Sequence, residues 1–200
     1  MKATVIICPG NGCYDIRSSN WYGELFNELS NKGISCVCEN FPDPLHARRE
    51  LWVPHMRSLA EQHGKPSSNV VLVGHSSGAQ AALRYAELYP LHACVLVSAT
   101  YSDLGIAHER ASGYYPQRSQ ESDEEINPYD FTRMKMNCRQ WHQFHSDDDP
   151  FIPVYEAQKI RNGLGLTDNF YLLSGRSHFF EFQQELLEIV LQSVCTKDSF

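Results

Sequence analysis

Apolar and polar positions along the chain switch repeatedly between a period of two and a period near 3.6, and the switches divide it into alternating strands and helices. Ala3 to Cys8 (ATVIIC) predicts a first buried strand, stopped by the turn residues Pro9-Gly10-Asn11-Gly12. From Trp21 to Lys32, apolar residues at 21, 22, 25, 26 and 29 share one helical face, with Ser19 or Asn20 as the expected N-cap and Gly33 as the closing glycine. Ile34 to Glu39 predicts a second strand, and Phe41-Pro42-Asp43-Pro44 a rigid connection. Ala47 to His63 is expected to be helical but broken or kinked at Pro54. Val70 to Val73 and Ala93 to Val97 are short, wholly apolar runs, the mark of strands covered on both faces, and Ala79 to Tyr89 between them is rich in helix formers.

Residues 99 to 128 lose all periodicity. Within them the acidic stretch Gln117 to Asn127 predicts a solvated loop, and Tyr114-Tyr115 either a lid or a packing anchor. Regular patterning then returns: a short helix over Tyr129 to Asn137, a strand over Gln140 to His145, a helix over Val154 to Asn162 and a strand over Asn169 to Leu173. A closing amphipathic helix over Phe180 to Ser193 is apolar at 182, 186, 187, 190 and 191. No repeat or linker interrupts the alternation. It predicts one α/β domain over residues 1–200, a three-layer sandwich around a mostly parallel sheet of about six strands.

The sharpest switch falls at one serine. Gly74-His75-Ser76-Ser77-Gly78 sits between the third strand and its helix and fits the G-x-S-x-G nucleophile elbow. A turn this tight brings the residues two before and two after the serine almost together, which leaves no room for Cβ atoms there. An acyl-transfer site also needs a base and a carboxylate that holds the base in its useful tautomer. His178 lies on a glycine-bearing loop directly after the last strand, and Asp147, Asp148 and Asp149 directly follow the strand before it. Ser76, Asp, His178 is the α/β-hydrolase chain order. Asp149 is favoured among the three because Pro150 biases the residue before it toward an extended, fixed pose. The oxyanion donors expected are the Ser77 backbone N–H and an N–H from the loop after the first strand, at Asn11 or Gly12. His75, inside the elbow, is expected to pack rather than react.

Composition narrows the chemistry further. A net charge of −7 with 17 basic residues excludes a phosphate-neutralising stripe and so argues against nucleic acid. The seven cysteines are scattered with no C-x-x-C pair, which fits reduced thiols packed as small hydrophobes in the cytoplasm or another reducing interior. The apolar start is too short for a signal peptide or a membrane span. The histidines offer no i, i+4 pair for a metal, and Gly10-Asn11-Gly12 fails the dinucleotide pattern because Asp15 stands where its third glycine belongs.

Over nearly its whole length the chain resembles the small serine hydrolases of the retinoblastoma-binding protein 9 type. The likeness is carried by Pro9-Gly10-Asn11-Gly12, Trp21-Tyr22-Gly23, Pro42-Asp43-Pro44, Gly74-His75-Ser76-Ser77-Gly78-Ala79, Glu109-Arg110-Ala111-Ser112-Gly113-Tyr114 and Asp148-Asp149-Pro150-Phe151, with Gly175 and His178. The resemblance implies an α/β-hydrolase fold without a large cap, Ser76, Asp149 and His178 as triad, and no cofactor. It also implies hydrolysis of esters or amides, with aminopeptidase-like action on small aminoacyl compounds. The L-x-C-x-E segment behind the family's name is missing; the corresponding Leu59 to Gly64 is LAEQHG, so pocket-protein binding is not carried over. The competing expectation is a partner-binding protein that keeps the fold without using the chemistry.

Overall fold

In the computed structural model, which describes residues 2–118 and 125–195, six strands form one sheet in which every neighbouring pair is parallel. They are β1 (Thr4–Cys8), β2 (Cys36–Val37), β3 (Val70–His75), β4 (Ala93–Val97), β7 (Gln140–Ser146) and β8 (Phe170–Leu173), in the order β2-β1-β3-β4-β7-β8. The two remaining strands, β5 (Gln117–Arg118) and β6 (Glu125–Ile126), make a separate antiparallel pair. Residues 119–124 of the expected acidic loop lie outside the described residues.

Continuous apolar strands make sense only with both faces covered, and the strand period of two divides their side chains accordingly. Val5, Ile7, Val71, Val73, Val95 and Val97 pack with α1 (Tyr22–Asn31) and α7 (Gln184–Ser193). Ile6, Val70, Leu72, Cys94 and Leu96 pack on the opposite face with α2 (Arg49–His63), α3 (Ser77–Leu88), α5 (Phe131–Asn137) and α6 (Val154–Leu164). Three layers result, with β1, β3 and β4 at the centre of the sheet wholly buried and the edge strand β8 only partly covered.

Several local expectations are corrected. The helix α2 is not broken at Pro54; the proline sits in its second turn and forfeits one intrahelical hydrogen bond, while Trp52, Val53, Met56, Leu59 and Ala60 bury the face that spans it. The second strand shrinks to two residues because only Cys36 and Val37 find partners on β1. Neither Ser19 nor Asn20 caps α1: Asn20 adopts φ 47°, and its amide turns to the Tyr22 hydroxyl at 3.1 Å. The helix α7 starts at Gln184, which leaves Phe180 outside it and 45% exposed.

The aperiodic stretch contains one short helix, α4 (Ala107–Ala111), and is fastened to α3 by a buried arginine. Arg84, 1% exposed, donates to the Tyr114 carbonyl at 2.7 and 2.6 Å, to Asn127 O at 2.7 Å, to Pro128 O at 3.0 Å and to Glu87 at 2.6 Å. Its guanidinium also lies 4.2 Å from the Tyr129 ring centre. Tyr114 and Tyr115 are buried; Tyr114 matches the anchor reading, while Tyr115 also lines the cavity described below. Arg84→Met removes these bonds and leaves the buried Glu87 with only Arg49, 3.7 Å away, and the Asp130 N–H, at 3.0 Å, to balance its charge. Urea unfolding should show a loss of about 3–5 kcal/mol, the usual effect of breaking a buried ion pair. A loss under about 1 kcal/mol, that of one ordinary hydrogen bond, would mean that tyrosine packing alone holds the excursion.

Candidate active site

The elbow is built as its glycines require. Ser76 sits at φ 53°, ψ −119°, held by its N–H donating to Val97 O at 2.9 Å. Such a backbone costs about 1–3 kcal/mol and persists only where its surroundings enforce it. A Cβ on Gly74 would meet the Gly78 carbonyl at 2.5 Å, and one on Gly78 would collide with the Cys8 and Pro9 carbonyls of the neighbouring strand end. The turn and the loop after β1 therefore touch, which places Gly10 and Asn11 beside the serine.

The three consecutive aspartates do three different jobs. Asp149 takes the His178 Nδ1–H on one carboxyl oxygen at 2.8 Å and the Phe151 and Ile152 N–H groups on the other at 2.9 and 3.0 Å. Asp148 accepts from the Ser146 hydroxyl and from the Ser177 N–H at 2.9 Å, so it fastens the histidine loop rather than the ring. Asp147 accepts from the Ser174 hydroxyl at 2.6 Å. Burial pulls the Asp149 carboxyl up, but its bond to His178 and the two N–H donors outweigh this, and the group stays below the usual carboxylate range. A ring that donates through Nδ1 leaves Nε2 free to accept a proton.

His178 is flanked by Ser177 at φ 50° and Phe179 at φ 53°, both left-handed without being glycine. The loop is tied down on each side: Trp21 donates through its indole N–H to Phe179 O at 2.8 Å, and His75 donates through Nε2–H to His178 O at 2.8 Å. Ser76 and His178 face one cavity of about 320 Å³. Among the described residues no hydrogen bond joins the serine hydroxyl to the ring, a looseness common in unliganded hydrolytic sites.

Of the expected oxyanion donors, Ser77 opens α3, so its N–H has no carbonyl one turn behind it. The Asn11 N–H has no acceptor among the described residues, and Asn11 lines the cavity. Gly12 is withdrawn: its N–H is already taken by Pro44 O at 2.7 Å, and Gly12 does not line the cavity.

Sequence reasoning missed much of the cavity wall. Leu104, Ile106, Tyr115, Phe151 and Phe180 make it largely apolar, and the Phe151 and Phe180 rings lie 5.1 and 5.5 Å from that of His178. Glu109 joins the wall from α4, accepting from the Tyr115 hydroxyl at 2.8 Å, with no Lys or Arg paired to it among the described residues. The Thr100–Ser102 segment is pinned from below by Glu156, which is 1% exposed and takes the Ser102 N–H at 2.6 Å. No periodicity in residues 99–128 foretold the contacts of Leu104, Ile106 and Glu109, because they depend on the excursion folding back over the sheet edge.

The description of the Alpha/beta hydrolase family matches residues 5–189. The chain belongs to that family. A serine hydrolase RBBP9 from Rattus norvegicus is 38% identical over 192 residues, covering 96% of this chain and 95% of its own, and this hydrolase is thus of the RBBP9 type. The ydeN gene product of B. subtilis has the same fold, with a TM-score of 0.76 at 20% identity over 96% of this chain and 98% of that one. The esterase PE8 also shares it, with a TM-score of 0.61 at 16% identity over 97% and 93%.

One residue of this hydrolase's elbow carries a pH signature. His75 is 1% exposed, and burial, reinforced by the nearby His178, pushes its pKa down to about 3. The unfolded chain protonates this imidazole near pH 6.5, so below that value it binds a proton that the folded state refuses. Stability therefore declines on acidification between about pH 6.5 and pH 3, by up to about 1.4 kcal/mol per pH unit from this group. Urea unfolding at pH 7 and pH 5 should show a slope shallower by nearly one proton in His75→Gln; identical slopes would mean that His75 already protonates in the folded protein.

Proposed function

We propose that this protein is a serine hydrolase that cleaves small esters or amides, aminoacyl compounds among them, through Ser76, His178 and Asp149. The observation that carries this reading is the 2.8 Å bond from His178 Nδ1 to Asp149, which leaves Nε2 unbonded among the described residues, in a side chain that lines the same cavity as Ser76. Membership of the family and the similarity to the rat serine hydrolase support it.

In this mechanism Ser76 attacks the substrate carbonyl as His178 Nε2 takes its proton, with Asp149 steadying the imidazolium. The Ser77 and Asn11 N–H groups receive the oxyanion, each worth about 2.7–4 kcal/mol in the transition state. His178 then returns the proton to the leaving oxygen or nitrogen, and water, activated by the same ring, hydrolyses the acyl-enzyme. The apolar wall suits the acyl side chain. Glu109 suits a free ammonium on it, which favours aminoacyl substrates. Free thiols at all seven cysteines suit a reducing compartment such as the cytoplasm.

A fluorophosphonate probe should label the native chain and spare Ser76→Ala; equal labelling of both would end the assignment of the nucleophile. Asp149→Asn should lower kcat by on the order of 10⁴, the effect of turning a triad carboxylate into an amide, whereas Asp148→Asn should cost much less. The reverse order would move the triad acid to Asp148. Glu109→Gln should reduce kcat/KM for an aminoacyl amide about 10–100-fold relative to its des-amino analogue, the value of one charge-assisted hydrogen bond. Equal losses on both substrates would remove Glu109 from amine recognition.

A further inference from the structure

Resting on the serine-hydrolase reading above, we propose that Tyr22 and His75 form a buried positioning pair that sets the oxyanion loop and the catalytic-histidine loop in register with each other. The Tyr22 hydroxyl accepts the Gly10 N–H at 2.9 Å and the Asn20 amide at 3.1 Å, so both of its acceptor positions are filled. Its own proton goes to His75 Nδ1 at 2.6 Å. On the far side of the ring, Nε2 meets the His178 carbonyl at 2.8 Å.

This chain of bonds has one consistent direction. A carbonyl can only accept, so His75 carries its proton on Nε2, and Nδ1 is left to accept from the tyrosine. Gly10 N–H to Tyr22 to His75 to the His178 carbonyl is then a single line through a wholly buried region. One end fixes the Pro9–Gly10 peptide plane, one peptide ahead of the Asn11 N–H that is the proposed second oxyanion donor. The other end fixes the backbone of the proposed general base itself, within a loop whose left-handed neighbours give it no regular secondary structure to rely on.

An apolar residue at 75 would fill the same core space. What it would lack is reach to both loops at once. The charged or titratable groups around the ring are Tyr22, His178 and Asp149, with the Trp21 ring 5.7 Å away; burial keeps the imidazole neutral among them, so its tautomer does not change across the working pH range.

The test compares Tyr22→Phe, His75→Leu and His75→Gln, using an activated p-nitrophenyl acyl ester and fluorophosphonate titration of active sites. Per titrated site, Tyr22→Phe and His75→Leu should lower kcat about 10–100-fold with KM changed less than about threefold, as when a reacting group is displaced by a fraction of an ångström. The amide of His75→Gln can donate where Nε2 did and should recover about tenfold of that loss. The Tyr22→Phe/His75→Leu double variant should be no slower than the worse single one, because both changes cut the same line. ¹⁵N spectra of the wild-type imidazoles should show His75 as the Nε2–H tautomer, unchanged from pH 5 to 8.

Folded Tyr22→Phe and His75→Leu with kcat within about twofold of the wild type would overturn the proposal, as would an Nδ1–H tautomer or no rescue by His75→Gln. If His75→Leu does not fold, Tyr22→Phe and the ring spectrum decide. A wild-type chain that takes no fluorophosphonate would instead remove the hydrolase reading, and the pair's catalytic role with it; the ring spectrum separates the two failures, because it reads the bonds without any turnover.

Discussion

At Ser76 the chain turns from strand to helix within one residue, and the close contact this forces between β3, α3 and the end of β1 governs the rest of the site. The contact exists because Gly78 offers no Cβ to the Cys8 and Pro9 carbonyls. It brings Asn11 to the rim, lifts the serine above the sheet edge and aims the free N–H groups of α3 at the same point. A parallel sheet then does the remaining assembly. Strands β7 and β8 end on the same edge, so the loops after them carry Asp149 and His178 into range without any long-range adaptation.

Holding those loops still is a separate problem, and polar groups buried around the cavity solve it. Asp148, Trp21 and His75 each bind backbone atoms next to or within His178, and Asp149 binds the ring. Arg84 and Glu156 do the corresponding work for the excursion that forms the far wall. All of these are charged or polar groups inside a low-dielectric interior, where a satisfied hydrogen bond is strong and an unsatisfied one is expensive. The same property makes the site sensitive: loss of one partner leaves the other underpaired, as Glu87 without Arg84 would keep only Arg49 at 3.7 Å and the Asp130 N–H at 3.0 Å.

The electrostatic division is equally local. Asp149 stays charged because its donors outweigh its burial, while His75, only one residue from Ser76, stays neutral because burial, with His178 beside it, outweighs the pull of the His178 carbonyl and Asp149. Two imidazoles whose ring centres lie 5.0 Å apart therefore carry different duties. One is hydrogen-bonded through Nδ1 to Asp149, and the other is bonded at both ring nitrogens, to Tyr22 and to the His178 carbonyl.

Alternating periods of two and 3.6 were enough to place six strands between helices, since a strand apolar on both faces, as β1, β3 and β4 are, demands cover from both sides. The glycines of the elbow and the aspartate and histidine loops after the last two strands were legible for the same local reason: turn chemistry and chain order leave a mark on each residue. What escaped that reading depends on partners distant in sequence. Pro54 stays inside its helix because a buried face outweighs one missing hydrogen bond, Gly12 is lost as a donor because Pro44 takes its N–H, and Glu109 and Tyr115 reach the cavity only because Arg84 holds the excursion down. Periodicity records which face of an element is dry, whereas hydrogen-bond partners across a fold are chosen by three-dimensional proximity, which no single stretch of sequence contains.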